Sequence, residues 1–558
     1  MPQTSPPNQT KIIQRWVLWL AAIAGVLLIT SGLTWVSSVC IDCDAESSLA
    51  TINLFTWLSF FAVVLLGCAI LYGGWWVVQG SERSKSAPGL PRWLAGLLVG
   101  AAILRLGLGI VWYLALPVYG HGTPQEQDGY VMADAHQRDQ LAQKIAISKK
   151  SLGQALQTSR QSDANGGLLF LSVLVYRYIG TAQPSPLSML VICATFSSLA
   201  VIITWGFSRR SWDEKVAGIA AWGVALYPEA VLLGSSQMRE AFIIPLVAGA
   251  FYGLARLRRE RSWIGAGWIV TSVLLTLVIS PTITVMLVII LGLAALVVRN
   301  DLFQRHMKIP YWTWGIVAGV IILALFAGWL NLRNFAPPEI SNPVDVTSYW
   351  LRKSIDLQAY LSKSASGWVQ KIFRTTPEWT HLPILAGYGI LRPFLPAALV
   401  VSSEAPIWSW ITIWRAAGWA VLLGLLVYAT LHAWLKRDTD AFTRVLTVIT
   451  WLVIIIASLR GGGDQNDNPR YRAILISIQM GLAAWGWMEQ RRTSDPIFRR
   501  ALVTTGFVIF WSLLWYLRRY YAIPWVASDP FIVIGLGLAC GALYSIWDWA
   551  RSLRKPAS

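Results

Sequence analysis

The chain has 558 residues, of which 55% are hydrophobic and only 13% are charged, and its mean hydropathy is +0.52. This balance excludes an ordinary soluble protein and indicates a membrane protein. The formal net charge of +18 would suit a nucleic-acid-binding protein. No stripe of interleaved aromatic and basic residues supports that class, however, so we exclude nucleic acid as a partner.

Apolar segments of about 20 residues, the length that crosses a bilayer, recur about fourteen times along the chain. Each is expected to be an α-helix, because a backbone in lipid has no water to which it can bond. The predicted fold is therefore an all-α polytopic membrane protein. The segments begin near Trp16, Leu54, Trp93, Met189, Val216, Ala241, Trp263, Thr282, Trp312, Ile407, Val445, Ala473, Ala501 and Phe531.

Basic clusters, such as Arg209-Arg210 and Arg491-Arg492, fall on alternate loops between these segments. Lys and Arg in short loops mark the cytoplasmic side of a membrane protein. One topology fits them all, with both termini in the cytoplasm and an even number of crossings of the cell (plasma or inner) membrane. The loops that this topology places on the outer face are residues 119–184, residues 331–406 and residues 460–472.

The chain divides at polar linkers into four parts. Residues 1–90 form an N-terminal two-helix extension, which the linker "GSERSKSAPGLPR" separates from a membrane core at residues 91–330. Residues 331–406 form a large outer loop with amphipathic, interfacial helices, and residues 407–558 supply the last membrane helices. Cys40 and Cys43 lie in the first outer loop, where a disulfide or plain thiols are favoured over a metal site.

The first large outer loop, residues 119–184, contains a cluster of acids. From residue 139 onward, apolar residues recur at helical spacing with lysines between them, which predicts an amphipathic helix on the membrane surface. The stretch "LLFLSVLVYRYIG" is short for a crossing and predicts a second interfacial or half-inserted helix. The acids of this loop are Glu126, Asp128, Asp134 and Asp139.

Two further charged motifs lie on the predicted outer face. Arg239 and Glu240 directly precede an apolar run in "SSQMREAFIIPLVAGA". Three roles are open for Glu240: it orients an acceptor, it binds a cation together with Asp128, or it caps a helix N-terminus. Arg470 and Arg472 flank a tyrosine in "DNPRYR", where they either bind phosphate or anchor the chain in the outer leaflet.

Three stretches in this order carry a resemblance to a known superfamily. They are "QDGYVMADAHQRDQLA", "LYPEAVLLGSSQMREAFIIPLVAGAFYGLARL" and "DNPRYRAILISIQMGLAAWG". Across roughly residues 93 to 490, the chain resembles the GT-C integral-membrane glycosyltransferases. It is most similar to the bacterial relatives of the protein O-mannosyltransferases and the aminoarabinose transferases of lipid A, which are glycosyltransferase family 39-like proteins. The resemblance implies a GT-C-like helical bundle whose outer loops contain interfacial helices.

It also implies a function, the transfer of a sugar from a polyprenyl-phosphate donor to a lipid, glycan or protein acceptor. A carboxylate would act as general base and fixed cations would stabilise the departing phosphate in a single inverting displacement. Asp128 is the predicted base and Glu240 is its partner, and a divalent cation bound by both is left open. The predicted substrate-binding residues are Tyr130, Asp163, Arg239, Arg470 and Arg472.

Two other classes remain as alternatives. A lipid-linked polysaccharide polymerase or ligase would also be a polytopic enzyme with a large outer loop and arginines. A lipid-glycan transporter would not be an enzyme, and such proteins usually show internal repeats and broken helices that meet near the midplane. Here the charges collect at one face of the membrane, which favours an enzyme.

Overall fold

The computed structural model describes residues 9–38, 54–83, 89–148, 151–153, 166–180, 185–260, 263–297, 311–334, 374–401, 403–461, 467–522 and 527–553. Between 335 and 373 it describes 336–340, 342–346, 348–350 and the single residues 353, 370 and 372. Within these ranges the chain is helical and has no strand. The prediction of an all-α membrane protein is confirmed.

The membrane core and its N-terminal extension contain thirteen helices within the described residues. They are α1 Gln9–Ser38, α2 Leu54–Glu82, α3 Arg92–Tyr119, α4 Pro124–Gln127, α5 Ala133–Ile147, α6 Gly166–Tyr178, α7 Pro186–Ser211, α8 Glu214–Leu226, α9 Pro228–Gly234, α10 Glu240–Glu260, α11 Trp263–Ile279, α12 Pro281–Val297 and α13 Tyr311–Asn334.

Eight more helices follow in the described part of the C-terminal half, together with 3₁₀ turns at Glu378–Thr380 and Ala473–Leu475. They are α14 His381–Leu391, α15 Leu395–Val400, α16 Pro406–Leu435, α17 Ala441–Gly461, α18 Asp467–Arg472, α19 Ile476–Thr493, α20 Pro496–Tyr521 and α21 Pro530–Leu553. The fourteen predicted apolar segments each coincide with one of these helices, counting α8 and α9 as one segment.

Not every helix is long enough to cross a bilayer alone. In the described part of the chain, nine helices have the length and hydropathy of a membrane span, and the pair α8–α9 brings the number to ten. Helices α11 and α12 have 17 residues each and are shorter than the usual span. Burial identifies the centre of the bundle, since the apolar stretch of α10 is 100% buried whereas that of α20 is 6% buried.

One predicted span is broken. Helices α8 and α9 meet at an angle of 54°, and the break lies at Tyr227-Pro228, where Tyr227 has an extended backbone. Proline lacks an N–H and clashes with the preceding turn, so it ends α8 and begins α9. The buried Arg105 of α3 donates to the carbonyl oxygen of Val224, 3.1 Å away, and so satisfies an acceptor that the break exposes. The charge of Arg105, which lies within the apolar helix α3, is thus stabilised inside the bundle by a backbone carbonyl group of α8.

The basic loops gather at one end of the bundle, which we call the basic end and define by Glu82, Arg209, Arg210, Asp213 and Arg492. Glu82 is buried and accepts from Arg210 Nε at 2.9 Å, from Arg209 Nη1 at 3.0 Å and from the Tyr252 hydroxyl at 2.5 Å. Arg492 binds Asp213. These ion pairs join the loops that the predicted topology places together, and they attach α2 to α7 and α10.

The predicted helices of the first outer loop are present. Helix α5 covers the amphipathic stretch and α6 covers the short apolar one, and the two helices pack against each other. Much of the amphipathic part of the 331–406 loop, the two cysteines Cys40 and Cys43, and Asp163 lie outside the described residues.

Candidate functional site

A cavity of about 650 Å³ opens at the end of the bundle opposite the basic end. We call this the cavity end and define it by Asp134, Glu240, Arg392, Trp408 and Arg470. The cavity lies between the loop after α3, the turn between α14 and α15, the start of α16 and the end of α20. Its lining includes His121, Gln125, Glu126, Asp134, Tyr388, Arg392, Trp408, Thr412, Arg470, Tyr516 and Tyr520.

A chain of four charged side chains runs from the cavity into the bundle. Arg470 Nη1 lies 2.9 Å from Asp134 Oδ2, and Arg470 Nε lies 3.0 Å from Glu240 Oε1. The same Glu240 oxygen accepts from Arg239 Nε at 3.2 Å. Glu240 is fully buried, whereas the Asp134 side chain is 63% exposed. The motifs "MADAHQ", "SSQMRE" and "NPRYR" therefore meet at one place, although the sequence separates them by more than 300 residues.

Local structure accounts for the position of Glu240. It is the first residue of α10, where a carboxylate meets the positive end of the helix dipole. The preceding loop is held in place because the Gln237 side chain donates to the Pro186 carbonyl oxygen at 2.7 Å, and Arg138 donates to the Gln237 carbonyl oxygen. Glu240 thus lies at the N-terminus of α10 and also pairs with arginine, so the two roles are compatible.

Asp139 fixes the rotation of α5, the helix that carries Asp134. Its buried carboxylate accepts from the hydroxyls of Tyr130 and Tyr176, and from Gln143 at 2.9 Å. Burial raises the pKa of Asp139, and these hydrogen bonds oppose the rise only in part. Tyr130, predicted to bind substrate, is instead buried here against α5.

Gly129 allows the loop after α4 to pass close to the backbone of α3. It has a φ of 78°, and a Cβ added to it would lie 2.8 Å from the backbone of Tyr113. A side chain at residue 129 is excluded by this contact and disfavoured by the left-handed backbone. Asp128 and Tyr130, on either side of this glycine, both contact α5, through His136 and Asp139 respectively.

Asp128, the predicted base, does not line the cavity. Its side chain is 54% exposed and lies 2.6 Å from His136 Nε2, with Gln140 Nε2 at 3.4 Å. His136 and Gln140 share one face of α5, and Asp134 is about 200° around the helix from His136. The two acids therefore lie on different sides of α5, and the role of Asp128 stays a prediction.

The two predicted phosphate-binding arginines of α18 have different surroundings. Arg470 lines the cavity, but Arg472 is 2% exposed and its guanidinium lies 3.4 Å from the centre of the Trp419 ring. Arg472 also donates to the backbone carbonyl of Arg392 at 2.5 Å. Residues two positions apart on an α-helix point about 200° apart around its axis, so Arg470 faces the cavity and Arg472 does not.

Arg392 is the cavity residue that the sequence analysis missed. It lies in "GYGILRPFLPAAL", between α14 and α15, and lines the cavity beside Tyr388, Tyr516 and Tyr520. Its guanidinium lies 5.0 Å from the centre of the Tyr388 ring, and it makes no ion pair with any residue that the structure describes. The available signal was an arginine directly before a proline at the end of an apolar segment.

The side chains present do not fit the divalent cation that was left open for Asp128 and Glu240. In the described ranges, no three His, Cys, Asp or Glu side chains lie close enough together to hold a metal ion. The nearest charged partners of Glu240 Oε1 are two guanidinium groups, and Asp128 Oδ2 bonds to His136. The site as built supplies positive charge through arginine.

No protein-family model and no curated protein matches the chain. Among solved structures, it is similar to the archaeal oligosaccharyltransferase AglB from Archaeoglobus fulgidus in complex with an inhibitory peptide and a dolichol-phosphate. The TM-score is 0.37 at 14% identity, and the match covers 83% of this chain and 56% of that chain.

The oligosaccharyltransferase of the same organism tethered to an acceptor peptide gives a TM-score of 0.38 at 13% identity, covering 81% and 54% of the two chains. Its apo form gives 0.37 at 14% identity, covering 81% and 55%. The chain spans about half the length of these neighbours.

Proposed function

We propose that this protein is a membrane glycosyltransferase of the GT-C type. It transfers a sugar from a polyprenyl-phosphate carrier to an acceptor hydroxyl in the cavity, on the outer face of the cell membrane. One observation carries the proposal: the cavity combines Arg392, which has no acidic partner in the described part of the chain, with Asp134, an acid held in place by a second arginine. Such a site suits a phosphate leaving group and a proton acceptor in one reaction.

Arg392 is assigned to the phosphate. The other cavity arginine, Arg470, is already shared between Asp134 and Glu240. A guanidinium with no carboxylate partner keeps its charge available, and its planar donors match phosphate oxygens. Tyr388, Tyr516 and Tyr520 beside it offer hydroxyl donors to the same group. Arg239, Arg470 and Arg472 then support the site rather than bind the donor directly.

Asp134 is assigned as the general base in preference to Asp128, because it lines the cavity and Asp128 does not. The acceptor oxygen attacks the anomeric carbon, its proton passes to Asp134, and the bond between that carbon and the phosphate oxygen breaks. The bonding electrons leave with the phosphate, whose added charge Arg392 stabilises. A single displacement of this kind inverts the anomeric centre. Glu240 holds Arg470, which in turn orients Asp134.

The first test is sugar transfer by the purified full chain in nanodiscs, with a panel of radiolabelled polyprenyl-phosphate sugars and hydroxyl acceptors. Loss of a positioned base lowers turnover by about 100-fold to 10,000-fold. We expect a loss in this range for Asp134→Asn and a loss below about tenfold for Asp128→Asn. The matched control is Asp438→Asn, an exposed acid between α16 and α17 at the other end of the bundle.

Arg392→Gln tests the binding of the donor phosphate independently of the general base. Losing a charged hydrogen bond to phosphate weakens donor binding by about 10-fold to 100-fold. A chelator such as EDTA should leave transfer unchanged. If Asp128→Asn abolishes transfer and Asp134→Asn does not, the base was assigned wrongly. If the whole panel gives no turnover while lipid-linked glycans elongate or cross the bilayer, the polymerase or transporter class replaces this one.

A further inference from the structure

One wall of the cavity is aromatic and is built by two segments far apart in sequence. The ring of His121, in the loop after α3, is stacked with the indole of Trp408 at the start of α16. Their centroids are 6.4 Å apart and their planes differ by 12°. Both residues line the cavity, and the function proposed above assigns no role to either.

Hydrogen bonds fix this wall. Trp408 Nε1 donates to Glu126 Oε1 at 2.5 Å. The other oxygen, Glu126 Oε2, accepts from the backbone N–H groups of His121 at 2.8 Å and Thr123 at 3.2 Å, and from the Thr123 hydroxyl at 2.8 Å. Because both oxygens are occupied and Glu126 is 3% exposed, this acid is unsuited to be a base. Its effect is to hold the indole plane.

The remaining side chains of the wall are neutral and polar. Thr123, Gln125, Ser409 and Thr412 line the cavity beside the two rings and offer donors and acceptors for hydroxyl groups. The wall itself contributes no Lys or Arg. Aromatic faces bind flat apolar surfaces, and one face of a sugar ring presents only C–H groups. A carboxylate placed here would meet the charge of Glu126 without a cation on the wall to balance it.

We propose that the wall formed by His121 and Trp408 binds the sugar ring of the donor and selects a sugar that carries no carboxylate. This inference rests on the proposed function, since it names the part of the cavity that reads the sugar. The C–H face of the ring packs on the aromatic pair, and its hydroxyls bond to the side chains of Gln125, Ser409 and Thr412. The lipid phosphate remains at Arg392, so the two parts of the donor are read by different residues.

The test measures the dissociation constants of three probes for the full chain in nanodiscs. The probes are a short-chain polyprenyl phosphate, the same lipid carrying glucose, and the same lipid carrying glucuronic acid. Stacking of this kind is worth about tenfold in affinity. We expect the glucose lipid to bind about tenfold more tightly than the bare phosphate lipid, and the glucuronate lipid to bind no more tightly than the bare lipid.

Trp408→Leu should remove the roughly tenfold higher affinity for the glucose lipid and leave the affinity for the bare lipid unchanged. Trp408→Phe, which keeps an aromatic face, should retain part of it. The matched control is Trp410→Leu, because Trp410 lies on the same helix and is 74% exposed. Thermal unfolding of each variant separates a binding effect from misfolding.

The outcomes distinguish the two proposals. If the wild type binds none of the lipids, the glycosyltransferase assignment fails. If it binds the bare and the glucose lipids equally, the assignment stands and the sugar wall is overturned. Equal loss of both lipids in Trp408→Leu overturns it too, because the residue would then hold the carrier. Tight binding of the glucuronate lipid refutes the selection against a carboxylate.

Discussion

The two ends of the bundle each contain a fully buried glutamate bound by two arginines, and they use it differently. At the basic end, both oxygens of Glu82 are occupied, one by Arg209 and the other by Arg210 and Tyr252. At the cavity end, Arg239 and Arg470 both bond to Oε1 of Glu240, and Oε2 has no hydrogen-bond partner among the residues that the structure describes.

This difference separates a joint from a site. A buried carboxylate whose two oxygens both accept hydrogen bonds is fully satisfied, and it connects the helices that supply its donors. A buried oxygen without a hydrogen-bond partner is an exception in native proteins, and a catalytic role is one of its recognised explanations. The first arrangement surrounds its acid closely with donors, whereas the second lies beside a cavity of about 650 Å³.

The largest expected effect is on the joint. Glu82→Gln removes a buried charge that pairs with the buried Arg210 and the half-buried Arg209, so the free energy of unfolding should fall by about 3 to 5 kcal/mol. Reversible unfolding in mixed micelles measures this loss, with Arg83→Gln, an exposed neighbour, as the control. A loss below about 1 kcal/mol, as for an exposed ion pair, would contradict the comparison.

A smaller effect on stability is expected at the site. Glu240→Gln keeps the shape of the side chain, and Arg470 retains Asp134 as a partner, so we expect a loss of about 1 to 3 kcal/mol. Turnover should fall together with it, by about tenfold or more, because Arg470 no longer holds Asp134 in one orientation. If Glu240→Gln loses as much stability as Glu82→Gln and keeps its turnover, then both ends are joints.

The smallest effect concerns pH. Burial raises the pKa of Glu126, but hydrogen bonds from Thr123, Trp408 and His121 outweigh it and hold the pKa below its ordinary value of 4.5. An acid with a lowered pKa in the folded state stabilises the fold above its unfolded pKa. This stability disappears as the pH falls from 4.5 through the folded pKa.

Glu126→Gln removes this titration. Thermal unfolding of the wild type at about pH 7 and about pH 4 should show a drop in melting temperature that is smaller in the variant. Equal drops in the two proteins would show that Glu126 does not hold the wall as the structure describes it. The difference is expected to be about 1 kcal/mol or less.

The sequence was sufficient for the helices, because apolar length is a one-dimensional signal and each predicted segment corresponds to a helix. It also placed Arg239, Glu240 and Arg470 on one face, and the structure brings these three side chains together at the cavity end. The orientation of the helices across the membrane stays a prediction. What the sequence left undetermined was which member of each local cluster faces the cavity.

That choice depends on contacts between distant residues. Of the four loop acids, Glu126 and Asp134 line the cavity. Asp134 does so because Tyr130 and Tyr176 hold Asp139 and so set the rotation of α5, and Tyr176 lies 37 residues from Asp139. Arg470 and Arg472 are equivalent in composition and differ only in direction around α18. Arg392 carries no motif and becomes a candidate because it lines the cavity and no acid within the described ranges pairs with it.

The position of Glu82 also sets an order of assembly during synthesis. Its arginine partners follow it by 127 and 128 residues and its tyrosine by 170, so α2 leaves the ribosome long before any of them. The joint at Glu82 can therefore be completed only after both α7 and α10 have been synthesised. The attachment of α2 to the core through these contacts comes later in synthesis than contacts between neighbouring helices.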